Sequence, residues 1–156
     1  MTTWYYEDYQ QWIQNGCIVN NTIIELDINN CELTELSEYI GNLINLQILN
    51  CSHNKLEKLP ETLGNLINLQ ILNCSYNQLE KLPKTFNDLK NIQYINCSNN
   101  KVVITSIPFN LINLQQLYCN ALPKKIPEIP ISFNLINLQQ LYCNELPKKI
   151  PEACDY

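Results

Sequence analysis

The chemically versatile side chains of this 156-residue chain are eight cysteines and one histidine, His53. Thiol and imidazole groups could make a nucleophile–base pair, a zinc site or disulfides. Any Cys–His or Ser–His pair has to include His53. Its counterparts at the same offset in neighbouring segments are Asn30, Tyr76 and Asn99, so it occupies a surface position with no requirement for imidazole. A structural zinc site draws four ligands from two close pairs, and no Cys-x-x-Cys occurs. Five thiols, Cys51, Cys74, Cys97, Cys119 and Cys143, recur instead at separations of 23, 23, 22 and 24 residues. That spacing places one in each structural unit, in a column of small buried hydrophobes. Adjacent thiols in such a column lie about 4.8 Å apart with parallel side chains, which suits a disulfide poorly. With three glycines there is no Gly-rich phosphate loop, and the acidic residues form no convergent pair. The expectation is no catalytic residue, no metal ligand set and no cofactor.

The elements carrying the cysteine column repeat. Residues 46–60 and 69–83 match almost letter for letter, 23 residues apart, and further starts fall at 23, 92, 114 and 138, the last copy incomplete. A period of this length describes units too small to bury their own apolar faces, which must stack on one another. Around Leu49 and Cys51 apolar and polar residues alternate, the mark of a half-buried strand, and identical connections make such strands parallel. Pro60 and Gly64 bracket a short helical turn in the return arc. Asn54, Asn77 and Asn100 form an internal amide ladder where each strand ends, with Cys31 in that position of the first copy.

The pattern Leu-x-x-Leu-x-Cys-x-x-Asn-x-Leu-x-x-Leu-Pro-x-x-Leu-Gly-Asn-Leu-x-Asn resembles the leucine-rich-repeat family in its 23-residue class, with Cys at an inward position that more often holds Leu. The resemblance implies an α/β fold: a right-handed solenoid bent into an arc, a parallel β-sheet on its concave face and short helical or irregular turns on its convex face. It divides the chain into an N-terminal amphipathic capping helix and lead-in, residues 1–22, and six repeats, residues 23–156, in one domain. By the same resemblance a Cys17–Cys31 bridge, as in the caps of secreted members, is an alternative to free thiols.

The two ends differ. Trp4, Tyr5, Tyr9, Trp12 and Ile13 recur at helical spacing before Gly16, giving a helix that either caps the first strand or offers an aromatic docking patch. Residues 109–128 recur at 133–152 with the single change of Ala121 to Glu145, and both copies lose the Ser-x-Asn step after the cysteine. The ladder asparagine is then either missing or replaced by Asn120 and Asn144, and Pro123, Pro127 and Pro130 make the intervening arc extended. The last strand, near residues 140–144, presents an open edge that invites pairing with a second copy, so a homodimer through the C-terminal sheet edge is expected.

A chain 46% hydrophobic and 16% charged is globular rather than disordered. No apolar run is long enough for a membrane span and no basic-then-apolar leader begins it, so the expected location is cytoplasmic. Without a secretory route the Asn-x-Ser/Thr triplets at Asn20, Asn50, Asn73 and Asn96 are repeat positions rather than glycosylation sites. Residues 1–54 hold seven acids and no lysine, and residues 55–156 hold ten lysines against eight acids, so the formal charge of −5 divides into −7 and +2. That polarity disfavours nucleic acid and a membrane surface, and favours a protein ligand that is basic near the N-terminal end. The outward strand positions are amide-rich and gain tyrosines toward the C-terminus. Together with the resemblance, this predicts a non-catalytic protein-interaction scaffold binding through Asp27, Asn50, His53, Asn73, Tyr76, Tyr94, Asn96, Gln116, Tyr118, Gln140 and Tyr142. Two alternatives are a self-associating structural protein and a recognition or inhibitor subunit of a larger effector.

Overall fold

Strands form where the repeat alternates aliphatic and thiol groups with polar ones. The computed structural model describes residues 2–102, 111–120 and 137–143. Seven strands, β1 (Thr2–Trp4), β2 (Ile23–Asp27), β3 (Ile48–Asn50), β4 (Ile71–Asn73), β5 (Tyr94–Asn96), β6 (Gln116–Cys119) and β7 (Gln140–Cys143), make one open parallel sheet in chain order. Parallel neighbours in chain order stack the repeats into the solenoid arc expected of them.

Residues one repeat apart lie side by side across the sheet. Leu26, Leu49, Leu72, Ile95, Leu117 and Leu141 form one inward row in unbroken register. The first five are fully buried, whereas Leu141, on the last described strand, is 43% exposed. Cys51, Cys74, Cys97 and Cys119 form the next inward row and are fully buried. Burial pushes the Cys51 thiol up to about 12 and holds Cys74 well above its ordinary value. Cys17 and Cys31 are also free thiols, so the alternative of a bridge between them is not realised.

Where each strand ends, an asparagine turns inward. The Asn54 Nδ2 donates to the carbonyls of Ile28, Cys51 and Ser52 at 2.9–3.1 Å, while its Oδ1 accepts from the backbone N–H groups of Cys31 and Leu33. Asn77 and Asn100 repeat the arrangement one and two units on. These amides satisfy backbone groups that would otherwise be buried unpaired. At Cys31 the thiol donates instead to the Asn29 carbonyl at 3.1 Å. The residue before each of these positions, Asn30, His53, Tyr76 or Asn99, has a left-handed backbone, with φ of 53–55°. Asn120 makes a different bond: its Oδ1 accepts from the Asn99 N–H at 2.7 Å, where the counterpart N–H groups of His53 and Tyr76 donate to the Ser75 and Ser98 carbonyls.

The return arcs contain short 3-10 helices, Glu38–Asn42, Glu61–Asn65 and Lys84–Asp88. Pro60 and Pro83 are the residues immediately before the helices rather than within their first turns. Gly64 does not end a helix as its position suggested. It lies inside one, where an added Cβ would come within 2.4 Å of the Thr85 Cβ and 2.7 Å of the Thr85 carbonyl oxygen. Gly41 meets the Thr62 carbonyl in the same way, so glycine here permits close stacking of one arc on the next. The two threonines lock the contact, donating to the carbonyls of Glu38 and Glu61 at 2.6 Å.

A second asparagine ladder lies at the opposite end of the strands. The Nδ2 groups of Asn45, Asn68, Asn91, Asn113 and Asn137 donate to the carbonyls of Asn21, Ile44, Ile67, Lys90 and Ile112 at 2.6–3.0 Å. It bridges every successive pair of repeats from residue 21 to residue 137.

At the N-terminus the aromatic run divides between two elements. Trp4 ends β1, which pairs with the edge of β2, and the helix α1 spans Tyr6–Gln14. Tyr9 and Trp12 are buried, while Tyr5 and Ile13 are exposed. The Tyr9 hydroxyl accepts from the Ser37 N–H at 2.9 Å, and burial pushes its pKa up to about 12. The expectations that fall on Pro123, Pro127, Pro130, Asn144 and the Cys143 side chain lie outside the described residues.

Candidate ligand-binding face

Alternation that sends Leu49 and Cys51 inward sends their neighbours onto the concave surface. Register sets two rows there. Glu25, Ile48, Ile71, Tyr94, Gln116 and Gln140 make the first, and Asp27, Asn50, Asn73, Asn96, Tyr118 and Tyr142 the second. Nine of the residues singled out from the sequence lie on these rows. His53 and Tyr76 stand just beyond the strand ends, their rings stacked at 4.2 Å and 12°.

Asn50, Asn73 and Asn96 are partly committed to the fold. Each Oδ1 accepts from the hydroxyl of the serine two residues on, Ser52, Ser75 or Ser98, at 2.7–2.8 Å, and from its N–H at 3.1–3.3 Å. The sequence signal that resembled a glycosylation triplet is thus a side-chain turn closing each strand. The Nδ2 protons remain as donors toward a partner. Asp27 makes the same turn with the Asn29 N–H and Nδ2.

Toward the C-terminal end phenols replace the amides. Tyr118 lies 4.5 Å from Tyr142 in a parallel stack and 5.5 Å from Tyr94 at 42°. Loss of water around the packed rings, then the phenols of Tyr142 and Tyr94, raise the Tyr118 pKa above its ordinary value.

Between these features runs a groove of 530 Å³, with Glu25 and Asp27 at one end, Ile48 and Ile71 along it and Tyr94 beyond them. Gln93 and Gln115 also line it. They belong to a row, Gln47, Gln70, Gln93, Gln115 and Gln139, whose N–H groups each donate to the preceding repeat at 2.8 Å. The site prediction omitted this row, although a glutamine after the first Leu or Ile of five successive copies was legible in the sequence. Among the described residues no lysine stands on any of these rows. The ion pairs among the described residues are Lys55–Glu32 and Lys101–Glu80, both on exposed surface, so neither Glu25 nor Asp27 has a cationic partner among those residues. No group of three or more His, Cys, Asp or Glu among the described residues is arranged to hold a metal ion, and none of the helices described is long and apolar enough to cross a membrane.

Comparison with known proteins matches this geometry. A family model of the leucine-rich repeat region matches residues 22–145. Among solved structures, internalin C2 from Listeria monocytogenes is similar at 25% identity and a TM-score of 0.65, over 80% of this chain and 55% of its own. The leucine-rich-repeat ectodomain of the receptor kinase SOBIR1 from Arabidopsis thaliana matches at 26% identity and a TM-score of 0.59, over 80% and 72%. The effector YopM from Yersinia pestis matches at 28% identity and a TM-score of 0.55, over 81% and 40%. The chain thus spans about half the length of the internalin. Among curated proteins, none matches. With its repeat period, its open parallel sheet and a family match over most of its length in agreement, the chain belongs to the leucine-rich-repeat family.

Proposed function

We propose that this protein is a non-catalytic interaction scaffold that binds a protein ligand through its concave strand face. The fold commonly mediates protein–protein contact, and its neighbours include a receptor ectodomain and a bacterial effector. The observation that carries the reading is the composition of the face: two carboxylates without a cation among the described residues, an exposed aliphatic strip and packed tyrosines on rows that hold no lysine. Solvation alone favours long charged side chains on such a surface, whereas adaptable amides around aromatic anchors favour recognition. The ligand is basic where it meets the acidic N-terminal end, which disfavours nucleic acid there. The free thiols support a reducing, cytoplasmic setting. A photo-crosslinker in place of Tyr118 should capture a protein partner from the native cell, and one in place of Lys58, away from the face, should not. Equal capture from both positions removes the concave face as the binding surface.

A second reading, a homodimer through β7, is favoured by the exposure of Leu141 and Tyr142 on that strand. Light scattering at tens of micromolar should then give twice the 18.2 kDa chain mass, and a monomer mass removes it.

A further inference from the structure

We propose that the concave groove takes an extended peptide segment lying across the strands, with a lysine or arginine side chain between Glu25 and Asp27 and an aliphatic side chain on Ile48 and Ile71. This inference rests on the concave face being the binding surface and specifies what it selects.

Glu25 and Asp27 occupy successive outward positions of β2, and both are half-buried. Their hydrogen bonds come from neutral groups, the Thr3 hydroxyl to Glu25 and the Asn29 amides to Asp27. The two carboxylates leave negative charge in the groove that no cation of the described chain neutralises. A cationic side chain from a ligand would offset it, and an anionic one would add to it. Beside the acidic pair the groove turns apolar: Ile48 is half-buried and Ile71 is 38% exposed, on adjacent strands. An aliphatic side chain placed there removes both from water.

Spacing turns these neighbours into a motif. Parallel strands lie about 4.8 Å apart, so the midpoint of β3 and β4 is about 7 Å from β2 and β5 is about 14 Å from it. An extended segment advances about 3.3 Å per residue and points alternate side chains the same way. A basic residue at i therefore places i+2 on the isoleucines and i+4 against Tyr94. The flanking Gln93 and Gln115 amides lie within reach of the segment's backbone. Past Tyr94 the rows carry only neutral residues, Asn96, Gln116, Tyr118, Gln140 and Tyr142, so selection for charge is confined to the acidic end.

The test is a displayed library of random ten-residue peptides selected on the full chain. Lysine or arginine two positions before an aliphatic residue should be enriched. A selected peptide should bind at least tenfold more weakly to the Glu25→Gln, Asp27→Asn variant, which preserves shape, and selection on Glu25→Lys, Asp27→Lys should enrich acidic residues instead. Peptides that lose binding with Tyr94→Ala but show no basic enrichment overturn this motif and leave the concave docking face standing. Peptides indifferent to every concave substitution, or no peptides recovered, overturn both.

Discussion

Between Leu46 and Asn100 every coil closes its strand with an inward asparagine and an Asn–Ser turn, whereas β6 and β7 keep the same register and carry Tyr118 and Tyr142 where Asn50, Asn73 and Asn96 stand. Both regions retain the inward Leu or Ile row and the outer ladder of Asn68, Asn91, Asn113 and Asn137. The comparison separates two tasks. The apolar row and the outer ladder are common to all of these strands, while the inner asparagine ties the backbone beside the left-handed corner that displays His53 and Tyr76. In the strands after Asn100 the concave surface changes from amides to phenols.

The widest contrast lies in the apolar row itself. Leu72 and Leu141 hold equivalent places, yet one is fully buried and the other 43% exposed. Leu72→Ala should cost about 2–5 kcal/mol through lost transfer energy and a cavity, and Leu141→Ala about 1 kcal/mol or less. Urea unfolding of both variants measures this, and equal losses would mean that β7 is covered as fully as β4.

Base attacks the middle coils through their chemistry. A group whose pKa is higher in the folded than in the unfolded chain contributes its full stability below the unfolded value and loses it as pH rises toward the folded one. Cys51 moves from 9.0 to about 12, Cys74 moves well above 9.0, and Tyr9 moves from 10.0 to about 12. Stability should thus fall from about pH 9 upward, with Tyr9 alone removing about 2–3 kcal/mol between pH 10 and 12. In Cys51→Ala, Cys74→Ala the chain is weaker at neutral pH, but its loss between pH 9 and 10, followed by chemical denaturation at each pH, should be shallower. An unchanged slope would place those thiols in contact with water.

Next in size is the ladder. Asn77→Leu leaves the Leu56 N–H and three carbonyls without their partner and should cost about 1–3 kcal/mol. Asn120→Leu, which releases the exposed Asn99 N–H, should cost about 1 kcal/mol or less, because water can replace the lost acceptor. Similar costs at the two sites would give the Asn120 bond the weight of a buried ladder asparagine.

Period-two alternation and a 23-residue recurrence made the strands, their order and the buried thiol column legible, because both signals repeat in every copy and report burial directly. The short arcs were legible as helical turns. The place of Gly64 was not, because local capping rules carry no information about a threonine in the next coil. Trp4 was grouped with the helix because aromatic spacing does not reveal a sheet edge awaiting one more strand. On the concave face the sequence identified the rows but not that Asn50, Asn73 and Asn96 use their oxygens internally. Stacking of His53 on Tyr76 and of Tyr118 on Tyr142 depends on side-chain directions that spacing does not set.

The outer ladder gives the smallest and most discriminating test. Asn68 and Asn137 each donate to the carbonyl one repeat back, at 3.0 and 2.7 Å, one between middle coils and the other reaching the coil of β7. Both bonds lie on exposed surface, so deletion exchanges a protein acceptor for water and should cost about 0.5–1 kcal/mol at either site. A stack held by nearest-neighbour contacts registers each loss at one interface only. Asn68→Ala should weaken amide-exchange protection in β3 and β4 and leave β6 unchanged, and Asn137→Ala should do the reverse. Equal cost with separate footprints sustains the division between a ladder common to the stack and corners particular to each coil. If instead Asn137→Ala frees β6 and β7 from exchange protection altogether, the C-terminal strands depend on that single bond.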